Sequence, residues 1–172
     1  MKQPPLIIPS QVEVAQAELH TLPNGVRLYT LAAPEFEVLR ISLVFRAGTA
    51  RQRELFTAST TANMLAEGSR DMTAQQIAER LDYHGSWYDA NIDRDYAYVS
   101  FAALSKFVPQ TLEVAEQILL HPLFPEEELR SYCAKRRQRL TIDRTKVDVR
   151  AREAFALSLI HISEPTRHLR IS

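Results

Sequence analysis

The amino-acid sequence predicts an α+β fold, a two-layer sandwich in which a mostly antiparallel sheet carries helices on one face. The first observation is the order of segments, since strand-like runs precede two helical segments and then further strand-like runs precede two more. Helices that come in pairs argue against a parallel βαβ repeat. The 172 residues are 45% hydrophobic and 24% charged, which is ordinary for one globular domain.

Prolines near the amino terminus predict that residues 1–17 form an extended arm laid over the surface. Pro4, Pro5 and Pro9 fix φ and remove amide donors, so a helix is excluded there. Only three consecutive apolar residues precede Pro9, far fewer than the core of a signal peptide needs. No run nears the length of a membrane span, so we expect a cytoplasmic protein without a membrane partner.

Five strand-like runs are expected to form the sheet. Two of them flank Asn24-Gly25 within Glu18–Leu31, and Asn-Gly is the strongest short signal for a hairpin. Val38–Phe45 is rich in apolar residues and is predicted to be a strand buried on both faces. Ser86–Ile92 and Tyr96–Leu104 are predicted to form a second hairpin around an Asp93-Arg94-Asp95 turn, and small or apolar residues alternate with tyrosine and serine along the later strand.

Four helices are predicted from apolar spacing and from residues that start or stop helices. They are expected from Leu55 to Gly68, from Thr73 to Gly85, from Ser105 to Pro122, and from Pro125 to well past residue 140. Thr73 and Gln76 have the spacing of a capping box, which makes the second helix the most clearly marked. Ser105 is expected to cap the third helix, and Pro125 to open the fourth.

Composition restricts the classes of partner. Lysine plus arginine and aspartate plus glutamate both number 21, so net charge gives no reason to expect nucleic acid or an acidic membrane. The one cysteine, Cys133, excludes an internal disulfide framework and fits a reducing compartment. On a helix face shared with Leu129, Cys133 is expected to be a packed thiol rather than a nucleophile.

A local excess of positive charge lies between residues 130 and 153. The nine basic residues are Arg130, Lys135, Arg136, Arg137, Arg139, Arg144, Lys146, Arg150 and Arg152. Tyr132 is the one aromatic residue within the run, and this lack of interleaved rings weakens the case for nucleic acid. The first interpretation is a solvated helix face, the second a surface for an acidic peptide or partner, and the third nucleic acid.

Other residues with chemical potential have a structural interpretation. Glu67 follows the first predicted helix and is expected to be a solvated carboxylate rather than a displaced general base. His84 precedes a helix-ending glycine, where a histidine commonly serves the helix dipole. The aromatic residues near the second hairpin are interpreted mainly as core and cross-strand packing, although an exposed sheet edge there could bind a peptide by strand addition. These aromatic residues are Tyr83, Trp87, Tyr88, Tyr96 and Tyr98.

Several ordered blocks of sequence resemble one family. The blocks are Leu22-Pro-Asn-Gly-Val26, Phe45-Arg-Ala-Gly-Thr49, Met64-Leu-Ala-Glu-Gly-Ser69, Leu81-Asp-Tyr-His-Gly85, Asp93-Arg-Asp-Tyr-Ala97 and Pro122-Leu-Phe-Pro-Glu-Glu-Glu-Leu129. Together they are similar to the amino-terminal domain of the M16 metallopeptidases, the family of insulin-degrading enzyme, pitrilysin and the mitochondrial processing peptidase. The resemblance implies an M16-like half-domain over residues 18–156.

Active members of that family carry an inverted zinc motif, H-x-x-E-H, just before the Met-Leu pair. The histidines hold zinc, and the glutamate activates the metal-bound water. The resemblance places the first histidine at Ser59, the glutamate at Ala62 and the second histidine at Asn63. The family's third ligand, a glutamate, falls near Gln138 and Arg139. All these positions have lost the ligand, so no zinc or other cofactor is expected in this chain.

The resemblance therefore implies a non-catalytic domain. We expect it to bind peptide, or to pair with a zinc-bearing M16 homologue or fused second half and so form a peptidase chamber. One alternative is a zinc metalloendopeptidase with unrecognised ligands, because histidines without metal spacing could still meet in space. Another alternative is a stand-alone peptide-binding or assembly module.

The carboxyl end departs from the family pattern. Residues 157–172 are not similar to the helix that the family would continue, and they resemble translated sequencing-adapter read-through. We therefore expect these residues to be non-native and the chain to be a fragment of a longer protein.

Overall fold

The structure is a computed structural model that describes residues 15–163, with side chains described to residue 159. Most of the predicted arm, residues 1–14, and the end of the chain from residue 164 lie outside the described part. The strands are β1 (Glu18–Thr21), β2 (Arg27–Thr30), β3 (Val38–Phe45), β4 (Trp87–Ile92) and β5 (Ala97–Leu104). The α-helices are α1 (Thr57–Met64), α2 (Ala74–Tyr83), α3 (Val108–Leu120), α4 (Glu126–Asp143) and α5 (Val147–Ser163).

The main sheet has the strand order β3-β5-β4 with both pairs antiparallel, and β1 and β2 form a separate hairpin. The predicted α+β class, with a mostly antiparallel sheet, is confirmed. At the tip of the first hairpin, Gly25 has a φ of 82°, which glycine tolerates without strain. At the tip of the second hairpin, the carboxylate of Asp93 accepts hydrogen bonds from the backbone amides of Asp95 and Tyr96. In the first hairpin the side chain of Asn24 accepts a hydrogen bond from the backbone amide of Val26, so short polar side chains close both turns.

The core lies between one face of the sheet and helices α2 and α3. Val99, Phe101 and Ala103 alternate along β5 and are all buried, because they point toward these helices. Ile77 of α2 and Ile118 of α3 meet them, and each is at most 2% exposed. Burying a large aliphatic side chain contributes roughly 1.5–3 kcal/mol, so this face fixes the orientation of the sheet.

The prediction that β3 is buried on both faces is wrong. Val38 and Val44 are both 57% exposed, and Leu39 is 45% exposed. Among the described strands, β3 pairs only with β5, so it lies at an edge of the sheet. An apolar run cannot distinguish a central strand from an edge strand whose cover lies elsewhere.

The capping box of α2 is confirmed, whereas the predicted cap of α3 is wrong. Thr73 and Gln76 exchange both hydrogen bonds of the box at the start of α2. Ser105 instead begins a short 3-10 turn, and its hydroxyl donates to the carbonyl oxygen of Glu37 at 3.0 Å. The α-helix starts only at Val108, and the hydrogen bond of Ser105 ties this connection to the segment before β3.

The fourth helix passes residue 140 but ends shortly after it. It begins after Pro125 with three glutamates in its first turn, as expected, but it ends at Asp143. Lys146 then closes a turn, with its ammonium 2.7 Å from the Asp143 carboxylate, before α5 begins. The expected junction at residue 157 falls inside α5 and stays a prediction.

The aromatic residues near the second hairpin were predicted to serve mainly in core and cross-strand packing, and the exposure of Tyr83 and Trp87 departs from this prediction. Tyr83 is 85% exposed and Trp87 is 51% exposed. Trp87 lies on the outer face of the sheet, where the guanidinium of Arg40 sits 5.9 Å from its ring centroid. Only Tyr88 packs on the core, with its ring 5.4 Å from that of Phe101.

A close backbone approach joins the end of β3 to the turn between β4 and β5. Gly48 is buried, and its amide donates to the carbonyl oxygen of Asp95. A Cβ atom at Gly48 would overlap the backbone carbonyl of Arg94. Only glycine therefore fits this position, although its backbone angles are ordinary for any residue.

Candidate functional site

Helix α1 is the helix on which the predicted zinc positions lie. It begins after Phe56, whose φ of 69° is left-handed, and the side chain of Gln52 accepts a hydrogen bond from the amide of Ala58 in its first turn. The helix lies beside β4, and Leu65 and Ala66 just after it pack against the core. The buried side chains of Ala62 and Met64, together with the residues that follow the helix, therefore keep α1 in place.

The three predicted positions on α1 are engaged in local structure. The hydroxyl of Ser59 donates to the carbonyl oxygen of Phe56 at 3.0 Å. The side-chain amide of Asn63 donates to the carbonyl oxygen of Ser59 at 2.6 Å. Ala62 is 7% exposed and faces the interior. The side chains at two positions thus donate hydrogen bonds to backbone carbonyl groups, and the side chain at the third packs in the interior.

The predicted positions on α4 do not complete a site with these residues. Gln138 and Arg139 are both exposed. No hydrogen bond within residues 15–159 joins either side chain to Ser59 or Asn63. The positively charged guanidinium of Arg139 would also repel a cation.

The described residues do not fit a catalytic zinc ion. Zinc sites in proteins use thiolate, imidazole and carboxylate ligands. Ala62 has no donor atom, and the hydroxyl and amide of Ser59 and Asn63 already bond to the helix backbone. Within the part of the chain that the structure describes, no group of three histidine, cysteine, aspartate or glutamate side chains is arranged to hold a metal ion.

An open groove between α1 and α4 was missed by the sequence analysis. It has a cavity volume of about 570 Å³. Its α1 wall consists of Thr57, Thr60, Thr61 and Met64, and its α4 wall of Leu129, Tyr132, Cys133, Arg136, Arg137 and Leu140. The helical spacing of each set places it on one face, and this spacing was the available signal.

The prediction that Cys133 is a packed thiol is wrong. Its side chain is exposed and lines the groove. Leu129, which shares its face, lines the groove as well, so the predicted common face exists but is not covered by the described residues. The solvated helix face expected for the basic run is present, since no residue of α4 is buried.

A strained residue stands at the entrance of the groove. Phe56 adopts the left-handed conformation, which costs an L-residue roughly 1–2 kcal/mol. The guanidinium of Arg136 lies 5.6 Å from the centroid of its ring, within range of a cation–π interaction. The strain places an aromatic ring against a cation on the opposite wall.

A second cavity, of about 620 Å³, lies between α2 and α3, and most of its lining residues are polar or charged. Asp71, Glu79, Arg80 and Glu113 are among its lining residues, together with His84. The ring of His84 packs on those of neighbouring aromatic residues, at 5.1 Å from Tyr83 and 5.0 Å from Phe107. His84 is also the residue at the carboxyl end of α2, so its position agrees with the structural interpretation.

Tyr88, on strand β4, has a strongly raised pKa. Burial raises the pKa of its hydroxyl to about 12, with smaller contributions from the negative charges of Asp89 and Glu67. Its oxygen is buried without a hydrogen-bond partner among the described residues. Glu67 is half-buried near this ring rather than fully solvated as predicted.

Comparisons with known proteins agree with this fold. A solved structure of a peptidase M16 inactive domain from Pseudomonas fluorescens superposes with a TM-score of 0.66 at 21% identity, covering 69% of this chain and 30% of that one. A protease from Helicobacter pylori gives a TM-score of 0.64 at 15% identity, covering 76% of this chain and 32% of that one. The chain therefore spans about a third of each solved chain.

The family model for Insulinase (Peptidase family M16) matches residues 37–160. Fold and sequence together define the class of the chain as a peptidase-like α+β domain. The chain belongs to the insulinase family, peptidase family M16. The resemblance stated from the sequence blocks is confirmed.

The left-handed backbone at Phe56 predicts an unusual order of stability. Phe56→Gly should be more stable than Phe56→Ala by about 1 kcal/mol, because both variants lose the ring but only glycine adopts this conformation freely. Urea unfolding of the two variants measures the difference. As a control inside α1, Ala58→Gly should be less stable than the wild type. Equal stability of the two Phe56 variants would contradict a strained backbone.

The raised pKa of Tyr88 predicts a loss of stability at alkaline pH. The folded protein holds this proton more tightly than the unfolded chain, whose tyrosine pKa is 10.0. The contribution of Tyr88 to the free energy of unfolding is therefore complete below pH 10 and is lost as the pH rises toward 12. Tyr88→Phe should lose less free energy of unfolding over that interval than the wild type. Tyr83→Phe, which removes an exposed hydroxyl, is the control, and equal slopes for both variants would refute the assignment.

Proposed function

We propose that this chain is a non-catalytic M16 domain that pairs with a zinc-bearing homologue or fused second half and contributes one wall of a peptidase chamber. The observation that carries the proposal is the state of α1, where Ser59 and Asn63 hydrogen-bond to the helix itself and Ala62 is buried. A helix with these residues contributes shape to a binding site and supplies neither a metal ligand nor a general base.

Two comparisons support this proposal. The protein from Pseudomonas fluorescens that shares the fold is described as an inactive M16 domain. The present chain spans 30% and 32% of the two solved chains, so its fold corresponds to one part of a larger architecture. A single part of this kind needs a partner to enclose a substrate. The proposal places this chain and its partner in the cytoplasm, a reducing compartment that suits the free thiol of Cys133.

We also propose that β4 contributes a peptide-binding edge by strand addition. Among the described strands β4 pairs only with β5, so its other edge carries unpaired backbone groups. The backbone amide of Asp93 donates a hydrogen bond to the carbonyl oxygen of Tyr96, so Asp93 and Tyr96 form a hydrogen-bonded antiparallel pair. Antiparallel pairs alternate, so the backbone groups of Tyr88, Ala90 and Ile92 point toward the open edge.

The edge of β4 also supports the second candidate, a stand-alone peptide-binding module. Strand addition uses backbone groups and side-chain pockets, so it requires no metal and no partner subunit. A metalloendopeptidase with unrecognised ligands would need His, Asp or Glu side chains to converge near α1, and none do so in residues 15–159. Co-purification with a zinc-bearing M16 protein distinguishes pairing from stand-alone binding.

The emptied motif predicts that the purified protein binds far less than one zinc ion per chain and leaves a quenched fluorogenic peptide uncleaved. Atomic emission measures the metal, and the peptide assay is repeated with a zinc-bearing homologue of the same organism. The variant Ser59→His with Asn63→His places two imidazoles one helical turn apart and should show a zinc-dependent rise in melting temperature. Stoichiometric zinc or cleavage by the wild type alone would remove the proposal.

The edge of β4 predicts that Ala90→Pro weakens peptide binding about tenfold or more while the fold is retained. Proline removes an amide that faces the open edge, and its ring obstructs an added strand. Asn91→Pro is the matched control. The backbone amide of Asn91 points to β5, so its loss should lower the melting temperature. Fluorescence anisotropy of a labelled extended peptide measures affinity. Unchanged affinity in a folded Ala90→Pro variant would exclude this edge.

A further inference from the structure

The groove between α1 and α4 leaves large apolar side chains in water. At its α1 end Leu55 is 81% exposed and Phe56 is 48% exposed, and Phe124 beside α4 is 46% exposed. No residue of the 18-residue helix α4 is buried. A contiguous apolar surface rimmed by polar groups is typical of an interaction site.

The groove is also positively charged. Arg136 and Arg137 belong to its lining, which contains no aspartate or glutamate. The carboxylates on α4 are engaged elsewhere or lie at its start, since Asp143 pairs with Lys146 and Glu126 with Arg130. Neither groove arginine forms an ion pair within residues 15–159. An anionic ligand would therefore meet two cations without competition from the lining.

Arg136 is held in place but not satisfied. Its guanidinium rests on the ring of Phe56 at 5.6 Å, which limits the freedom of a long side chain. Its Nε atom is buried and has no hydrogen-bond acceptor among the described residues. A guanidinium presents a fixed fork of N–H donors that matches a carboxylate with two parallel hydrogen bonds. The stacking therefore orders this cation before any ligand arrives.

The opposite wall favours a peptide over a lipid. Thr57, Thr60 and Thr61 place three hydroxyl groups along α1. Hydroxyl groups bond to the amide groups of a peptide, whereas a fatty-acid chain has no group that would use them. The groove is open along one side rather than closed around a small molecule, which suits a segment of a larger partner.

We propose that this groove binds an acidic, apolar peptide segment of a partner protein, with its aliphatic side chains between α1 and α4 and its carboxylates on Arg136 and Arg137. The inference does not depend on the pairing proposed above, because the lining of the groove includes neither Gln138 and Arg139 nor the three predicted zinc positions on α1. Helix α1 has eight residues, so its wall is about 12 Å long. A helical ligand of about eight residues, or an extended one of about four, spans this length.

The test uses a capped helical peptide of about two turns that bears leucine on one face and glutamate beside it. A reference peptide has lysine in place of each glutamate. Cys133 lies in the groove and is the one cysteine of the chain, so its rate of alkylation by iodoacetamide reports occupancy directly. The glutamate peptide should slow alkylation in proportion to its concentration, and the lysine peptide should not.

Single variants locate the charge. Arg136→Ala and Arg137→Ala should each weaken the glutamate peptide about tenfold, since each removes a charge-assisted contact. Lys135→Ala removes one cation from an exposed position of the same helix outside the groove and should change affinity by less than about twofold. The melting temperature of each variant shows whether it is folded, and Arg137, which is exposed, provides the second variant if Arg136→Ala unfolds.

Three outcomes would overturn the proposal. Equal protection of Cys133 by both peptides would remove the role of charge. Protection by laurate with none by the glutamate peptide would identify a lipid-type site instead. Full alkylation at every peptide concentration would show that the groove does not bind such segments. None of these results would bear on zinc content or on pairing with an M16 homologue.

Discussion

Central strand β5 is the element on which the rest of the domain depends. It pairs with β3 on one side and β4 on the other over most of its length, and its inner face supplies Val99, Phe101 and Ala103 to the core. Because side chains alternate along a strand, a slip of one residue would move this apolar set to the opposite face. The register of β5 therefore positions both sheet edges and, through β4, the helix α1.

Local signals predicted those parts of the fold whose causes lie within a few residues. The capping box at Thr73 formed because both partners belong to the same helical turn, and Asn24-Gly25 formed its hairpin for a similar reason. The predictions failed where the deciding partner is distant in sequence. Ser105 bonds to Glu37 rather than to its own helix, and the exposure of Val38 depends on what lies beside the sheet edge.

In the candidate site, too, the sequence predicted some features and missed others. The positions of Ser59, Ala62 and Asn63 followed from the resemblance, since an ordered pattern of residues identifies which helix would hold a metal. The groove required the relative placement of two helices about seventy residues apart in the chain, which no periodicity within either helix encodes. Cys133 illustrates the limit, because its spacing indicated a shared face but could not show whether that face is covered.

Gly48 has a consequence for exchanging parts between related domains. Its restriction arises from the distance between two backbones, so the residue at this position and the geometry of the β4–β5 turn are mutually dependent. A chimera that imports a differently shaped turn would meet the old connection at the wrong separation. The connection after β3 and the tip of the β4–β5 hairpin therefore have to be transferred together, although they are separated in the sequence.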